Sequence, residues 1–211
     1  MLATEVSCRL LQEEELPWFL ALLMEISYNE ALSLSSEPNL AHSWVLGAWL
    51  GEILVGAVQI VPSVHPDTAV IVDTTVAPQM RGRGIGTLLH KEREKLLRGK
   101  GRTKIISAVA PWNGPSLNCL LNKSGYRGTR YLRDCYSKGE DKLMMQKDLL
   151  ASQNSMPREN TEVVEVHSRD EFLGSDARTR LEIIINNEGF QVIKLVRNKN
   201  NQNYSLILER G

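Results

Sequence analysis

The chain lacks a surplus of either charge. Twenty-five Lys and Arg stand against twenty-five Asp and Glu in 211 residues. Nucleic-acid and anionic-membrane binders ordinarily carry a basic excess, so neither a nucleic-acid nor a membrane partner is expected. Cysteine is scarce. Cys8, Cys119 and Cys135 are too far apart for a CxxC metal site and odd in number for a disulfide framework, which reads as a reduced, cytoplasmic protein. The histidines show no metal-ligand spacing, and no metal is expected. Long apolar runs are missing too. Leu16 to Met24 and Ser43 to Ile60 are broken by Pro17, Gly47, Gly51, Glu52 and Gly56, short of the ~20 apolar residues of a membrane span. The first residues lack the basic stretch and apolar core of a secretory signal.

What is present divides the chain. Residues 1–150 hold every Trp and most other aromatics, whereas the remainder is rich in Asn. The polar stretch 151–159, with Pro157 and no apolar period, reads as a linker, leaving 160–211 as a small accessory unit. In the first region a strand at 5–11 precedes a helix with Leu16, Phe19, Leu20, Leu23 and Ile26 at helical spacing. Trp44–Leu50 and Ile53–Val61 form a hairpin around Gly51-Glu52, and a strand follows at 69–76. A helix opens at Ile85 and stops at Gly99 and Gly101. Beyond it come a strand at 104–109, a short helix at 116–123, and strands at 131–136 and 142–147. Consecutive strands between helices indicate a mixed α/β fold, mostly antiparallel, with helices on its faces. The accessory unit reads as βαββ: a strand at 163–166, a helix from a capping box at Ser168–Glu171 to Asn187, and a hairpin of 190–196 with 204–208. Some fifty residues are few for an independent core, so the unit is expected to pack on the first domain or on a copy of itself, which would make a homodimer.

The informative segment is Val76-Ala-Pro-Gln-Met-Arg-Gly-Arg-Gly-Ile-Gly86-Thr87. A strand enters a glycine-rich turn that opens a helix. Gly82, Gly84 and Gly86 remove side chains that would keep a ligand from the backbone. The N–H groups of the helix start and the helix dipole favour an anion, and Arg81 and Arg83 add formal charge. A Walker loop would need Lys after Gly86, where Thr87 stands. A Rossmann fingerprint would need glycine at Thr87 or Leu89. The pattern Q/R-x-x-G-x-G/A fits twice, from Gln79 and from Arg81.

With that phrase in its place, the sequence resembles the GCN5-related N-acetyltransferase (GNAT) superfamily over residues 1 to about 150. The likeness continues through Trp112-Asn-Gly-Pro-Ser116 and Lys123-Ser-Gly-Tyr126. The resemblance implies acetyl-CoA as cosubstrate and a small-molecule or peptide amine as acceptor. Val76 would present backbone to the pantetheine arm or acetyl carbonyl. Arg81, Gly82, Arg83, Gly84, Ile85, Gly86 and Thr87 would bind the pyrophosphate. Asn113 would meet the cofactor beyond the next strand, with Ser116 alongside. In this family the strands that correspond to 69–76 and 104–109 part to admit the arm.

Acetyl transfer needs a neutral amine, yet a free Lys amine has a pKa near ~10.4, so a base must take its proton. Asp73 is the one carboxylate of strand 69–76. It could accept that proton directly or through water, or could pair with a cation. Many family members carry a Tyr acid where this chain has Leu121, and the stretch from Asn113 to Gly125 is one residue longer here. A non-catalytic acyl-CoA-binding or regulatory module, its C-terminal unit serving oligomerisation, is therefore the alternative. His90 and the run Lys91–Lys95 read as a solvated helix face, Cys119 as core, and Tyr126 as a residue closing the core.

Overall fold

The computed structural model describes residues 5–30, 43–151, 161–198 and 203–211, with backbone alone for 25–30. The expected linker beyond Ala151, the loop expected after the first helix and most of the Asn-rich turn lie outside the described residues. The chain forms two compact units, 1–105 and 106–211.

In the first unit, strands β1 (Val6–Leu10), β2 (Trp44–Leu50), β3 (Ile53–Pro62) and β4 (Thr68–Val76) form an antiparallel meander. Gly51 turns the β2–β3 hairpin at φ +59°, a conformation other residues adopt at a cost. Two helices cover opposite faces. Helix α1 (Leu16–Glu30) lays Phe19 and Leu23 on Val45 and Ala57. Helix α2 (Ile85–Gly99) crosses the other face. Its approach is close because β3 offers Gly56 there: a Cβ at that position would stand 3.0 Å from the Thr75 carbonyl oxygen and 3.2 Å from Ile85.

The face α2 presents differs from the solvated one expected. Leu89 and Leu97 are buried, and so are His90, Arg93 and Glu94. Arg93 continues the Ile85–Leu89–Leu97 stripe at every fourth position, so burial of its neighbours carries it inward. Its Nη2 lies 2.9 Å from His90 Nδ1. A guanidinium can only donate, so that ring nitrogen accepts. Only Lys91 and Lys95 of the run are fully exposed.

The second unit runs from the end of β5 (Lys104–Val109) through α3 (Gly114–Leu117), a π-helical turn at Asn118–Lys123, β6 (Arg127–Leu132) and β7 (Lys142–Asp148). Strand β6 lies earlier than the expected 131–136, because residues 133–136 turn away around Asp134, at φ +49°. The π turn takes up one residue more per turn than an α-helix, the usual consequence of an insertion. It falls in the stretch whose extra residue the sequence marks.

Strand β8 (Thr161–Val166), helices α4 (Arg169–Leu173) and α5 (Asp176–Asn186), and strands β9 (Phe190–Arg197) and β10 (Tyr204–Arg210) complete the unit. The expected single helix is thus two, parted at Gly174-Ser175, and the Ser168 side chain makes no cap bond. Strand order is β5-β7-β6-β9-β10-β8, so the C-terminal strands extend the β6–β7 ladder within one chain. Gly128 permits the junction: a Cβ there would stand 2.9 Å from Val192 Cβ. Tyr126 is buried, as expected, whereas Cys119 is only half-buried.

Candidate functional site

The glycine loop is built from two left-handed residues and a helix start. After β4, Pro78–Met80 form a single 3-10 turn. Gly82 then adopts φ +74° and Gly84 φ +85°, with Gly84 as the N-cap of α2. L-residues avoid this region because Cβ crowds the carbonyl oxygen, so glycine is a geometric requirement at both positions. Gly86 has a different role. It lies inside the first helical turn, and a Cβ on it would meet nothing within 4 Å. The same holds at Gly82 and Gly84. The three glycines line an open cradle rather than a packed contact.

The first α-helical bond of this end runs from Leu88 N to Gly84 O at 2.9 Å. Ile85 and Gly86 precede it, so their N–H groups face outward from the helix end. Ile85 itself is buried and anchors the turn against β3. Arg81 and Arg83 are exposed on the loop, and Thr87 is half-buried. Arg81 Nε donates to the Val76 carbonyl oxygen at 3.1 Å, tying the loop to the end of the strand. The exposed donors, two cations and unfilled cradle fit a diphosphate.

Ala77 N donates to Val55 O on β3 at 3.0 Å. Backbone groups alternate along a strand, so the N–H and carbonyl of Val76 point away from β3.

Asp73 owes its orientation to a β-bulge. Ile60 pairs with Ile71 and Gln59 with Asp73, leaving Val72 extra on β4. In an unbroken strand Asp73 would share the face of Ile71. The bulge moves it to the face of Gln59, Ala57 and Thr75, which is the face α1 covers. Asp73 is half-buried there. Nothing in a single sequence marks the extra residue, because a bulge is a property of two paired strands.

Asn113 and Ser116 lie in the second unit. Asn113 is exposed, and its Oδ1 accepts from Ser116 N at 3.1 Å, capping α3. That bond fixes the carboxamide and leaves its Nδ2 as the group suited to donate to a ligand. Leu121, where many family members carry Tyr, is buried in the π turn. Tyr131 supplies no acid in its place: its hydroxyl donates to the Asp141 carboxylate inside the unit, and burial first, then that carboxylate, push its pKa far up. Two surface depressions, one lined by Trp18, Leu22, Glu52 and Leu54 and one by Glu162, Arg180 and Ile184, include none of the expected site residues. Among the described residues no group of three His, Cys, Asp or Glu is disposed to hold a metal ion, and no helix is long and apolar enough to cross a membrane.

Solved structures with a similar fold include three acetyltransferases. One from Bacillus subtilis in complex with CoA superposes with TM-score 0.54 at 17% identity, covering 69% of this chain and 99% of that one. A GNAT-family acetyltransferase from Elizabethkingia anophelis with acetyl-CoA bound gives 0.56 at 17%, over 68% and 98%. The ribosomal-protein-S18-alanine N-acetyltransferase from Escherichia coli gives 0.55 at 14%, over 72% and 99%. At these identities the likeness concerns the fold alone. No curated protein matches the sequence significantly. The sequence pattern of the acetyltransferase (GNAT) family matches residues 8–126, more than half of the chain and inclusive of the glycine loop, and with the fold it makes this chain a member of that family.

Proposed function

We propose that the protein is an N-acetyltransferase that uses acetyl-CoA as cosubstrate and acetylates an amine, carried by a small molecule or a peptide. The observation that carries this reading is the open cradle at Gly82, Gly84 and Gly86 on the start of α2. When bound, acetyl-CoA supplies an activated acetyl thioester. Ile85, Gly86 and Thr87 at the helix start, with Arg81 and Arg83, hold the diphosphate. The outward backbone of Val76 orients the acyl arm, and its N–H is suited to receive charge developing on the carbonyl oxygen. Asp73 takes the proton that the acceptor ammonium must lose before its nitrogen lone pair can attack the thioester carbonyl. Asn113 and Ser116 are the residues assigned to the pantetheine arm.

A second reading, an acyl-CoA-binding module without turnover, draws on buried Leu121 in place of a Tyr acid. Solvent can protonate a leaving thiolate, so this observation does not outweigh the carboxylate on β4.

Calorimetric titration of the full chain with acetyl-CoA, CoA and NAD tests the site. Both CoA species should bind and NAD should not. Gly86→Leu should abolish binding with an unchanged melting temperature, since its side chain enters open space. Gly84→Leu should also abolish it, with a melting penalty of about 1–2 kcal/mol from the left-handed backbone. Absence of CoA binding by the wild-type chain would overturn the assignment. Binding followed by acetyl transfer to members of an amine panel would separate the enzyme from the silent module.

A further inference from the structure

The C-terminal strands and helices converge on one short stretch, the Pro111–Asn122 segment that carries Asn113. Tyr204 of β10 is buried, and its hydroxyl donates to the Pro111 carbonyl oxygen. Its ring occupies the space beside Gly114, where a Cβ would come within 3.0 Å of the ring edge. Trp112 is held from a second side. Its ring centroid lies 6.1 Å from that of Phe172, and the Arg169 guanidinium sits 5.5 Å from it. At the far end, Asn122 Nδ2 donates to Leu195 O at 2.8 Å and Leu195 N donates to Asn122 Oδ1 at 3.1 Å. Residues on both sides of Asn113 are thus fixed by residues of 161–211, while Asn113 itself stays exposed.

We propose that Tyr204 is a positioning residue for cofactor binding, setting the Pro111–Gly114 backbone so that Asn113 is presented to the pantetheine arm. The inference rests on the acetyl-CoA reading above and assigns the C-terminal unit a part in it. Gly114 and Tyr204 are complementary, one lacking the atom that the other would exclude. The hydroxyl fixes the height of the Pro111 carbonyl, one peptide ahead of Trp112. Burial also pushes the Tyr204 hydroxyl up in pKa, so it remains a donor at neutral pH.

The test compares CoA with its phosphorylated ADP half, which lacks pantetheine and can use only the glycine loop. Full-length wild type, Tyr204→Phe and Tyr204→Leu are titrated with each ligand below their measured melting temperatures. Tyr204→Phe keeps the ring and should weaken CoA by about threefold; Tyr204→Leu loses ring and hydroxyl and should weaken it by about tenfold. Affinity for the nucleotide half should not change in either variant. A lowered melting temperature with unchanged CoA affinity would overturn the proposal and leave Tyr204 a structural residue. Equal loss for both ligands would also overturn it, as general damage. Failure of wild type to bind either ligand would instead strike the acetyl-CoA reading itself. Should Tyr204→Leu fail to fold, Tyr204→Phe decides between these outcomes.

Discussion

Asp73 concentrates what a single residue can tell here. Its identity and its distance from the glycine loop are legible in the sequence; its face is not. Extrapolating the alternation of β4 would put it with Ile71 and Val58, beneath α2. The bulge at Val72 puts it with Gln59 and Thr75 instead, on the side where α1 packs. A base there acts only if it can reach the amine, so the prediction is kinetic. Asp73→Asn keeps the shape and removes the basic oxygen. It should lower kcat by about 10²–10⁴-fold with CoA affinity unchanged, measured by steady-state kinetics on any amine that the wild type acetylates. Loss of CoA affinity with kcat preserved would place Asp73 in binding rather than in proton transfer. His90 and Arg93 carry the converse lesson. Their chemistry suggests a wet surface, yet Arg93 falls on the every-fourth-residue stripe of Ile85, Leu89 and Leu97. Position on the helix outweighed the polarity of the side chain.

At the scale of elements, the loop between β6 and β7 is pinned by a charged cluster that no local pattern announces. Arg178 of α5 donates through Nε to Asp141 Oδ2 at 2.7 Å and through Nη2 to Asp141 Oδ1 at 2.7 Å. Its Nη2 also lies 2.9 Å from Asp134 Oδ1. Asp134 N donates to Asp141 Oδ1, and Gly139 N to Asp134 Oδ1. The sequence separation of 37 residues between Asp141 and Arg178 hides the pair from any reading of periodicity. Burial alone would push the Asp141 carboxyl up; the guanidinium, the Asp134 N–H and the Tyr131 hydroxyl outweigh it and hold the carboxyl below its ordinary range. The Gly139 N–H and then Arg178 do the same for Asp134. Both groups therefore contribute stability that is complete above the unfolded value near ~3.9 and is lost as pH falls through the lower folded value. Urea unfolding between about pH 6 and about pH 2 should show this acid loss in wild type. Asp141→Asn should flatten it and cost about 1–3 kcal/mol at neutral pH, because half-buried Arg178 then keeps Asp134 as its one charged partner in the cluster. An unchanged acid slope in that variant would mean the cluster does not govern acid unfolding.

For the molecule as a whole, the strand and helix order of the first 150 residues was readable because hydrophobic period, glycine and proline mark it. The role of the C-terminal residues was not readable, because it depends on pairings across the second unit. The family pattern ends at residue 126, yet β6 relies on residues far beyond that point. Asn186 closes two bonds of 2.9 Å with the Tyr131 backbone, Val192 pairs with Gly128, and Arg178 neutralises a fully buried Asp141. An accessory unit joined by a linker should be removable; one that completes a sheet should not. A chain ended at Leu150 would uncover the β6 edge and strand the Asp141 charge, and exposed strand edges recruit other chains. The prediction is that this truncation aggregates or melts far below the full chain in size-exclusion and thermal unfolding measurements, because β6 loses the Asn186 bonds and its β9 neighbour together. A truncated chain that stayed soluble at the full-length melting temperature would establish residues 160–211 as separable. Light scattering of the intact protein then addresses the homodimer independently. Two-chain mass would call for an interface other than the β6–β9 edge, because that edge is already occupied by the chain's own C-terminal strand.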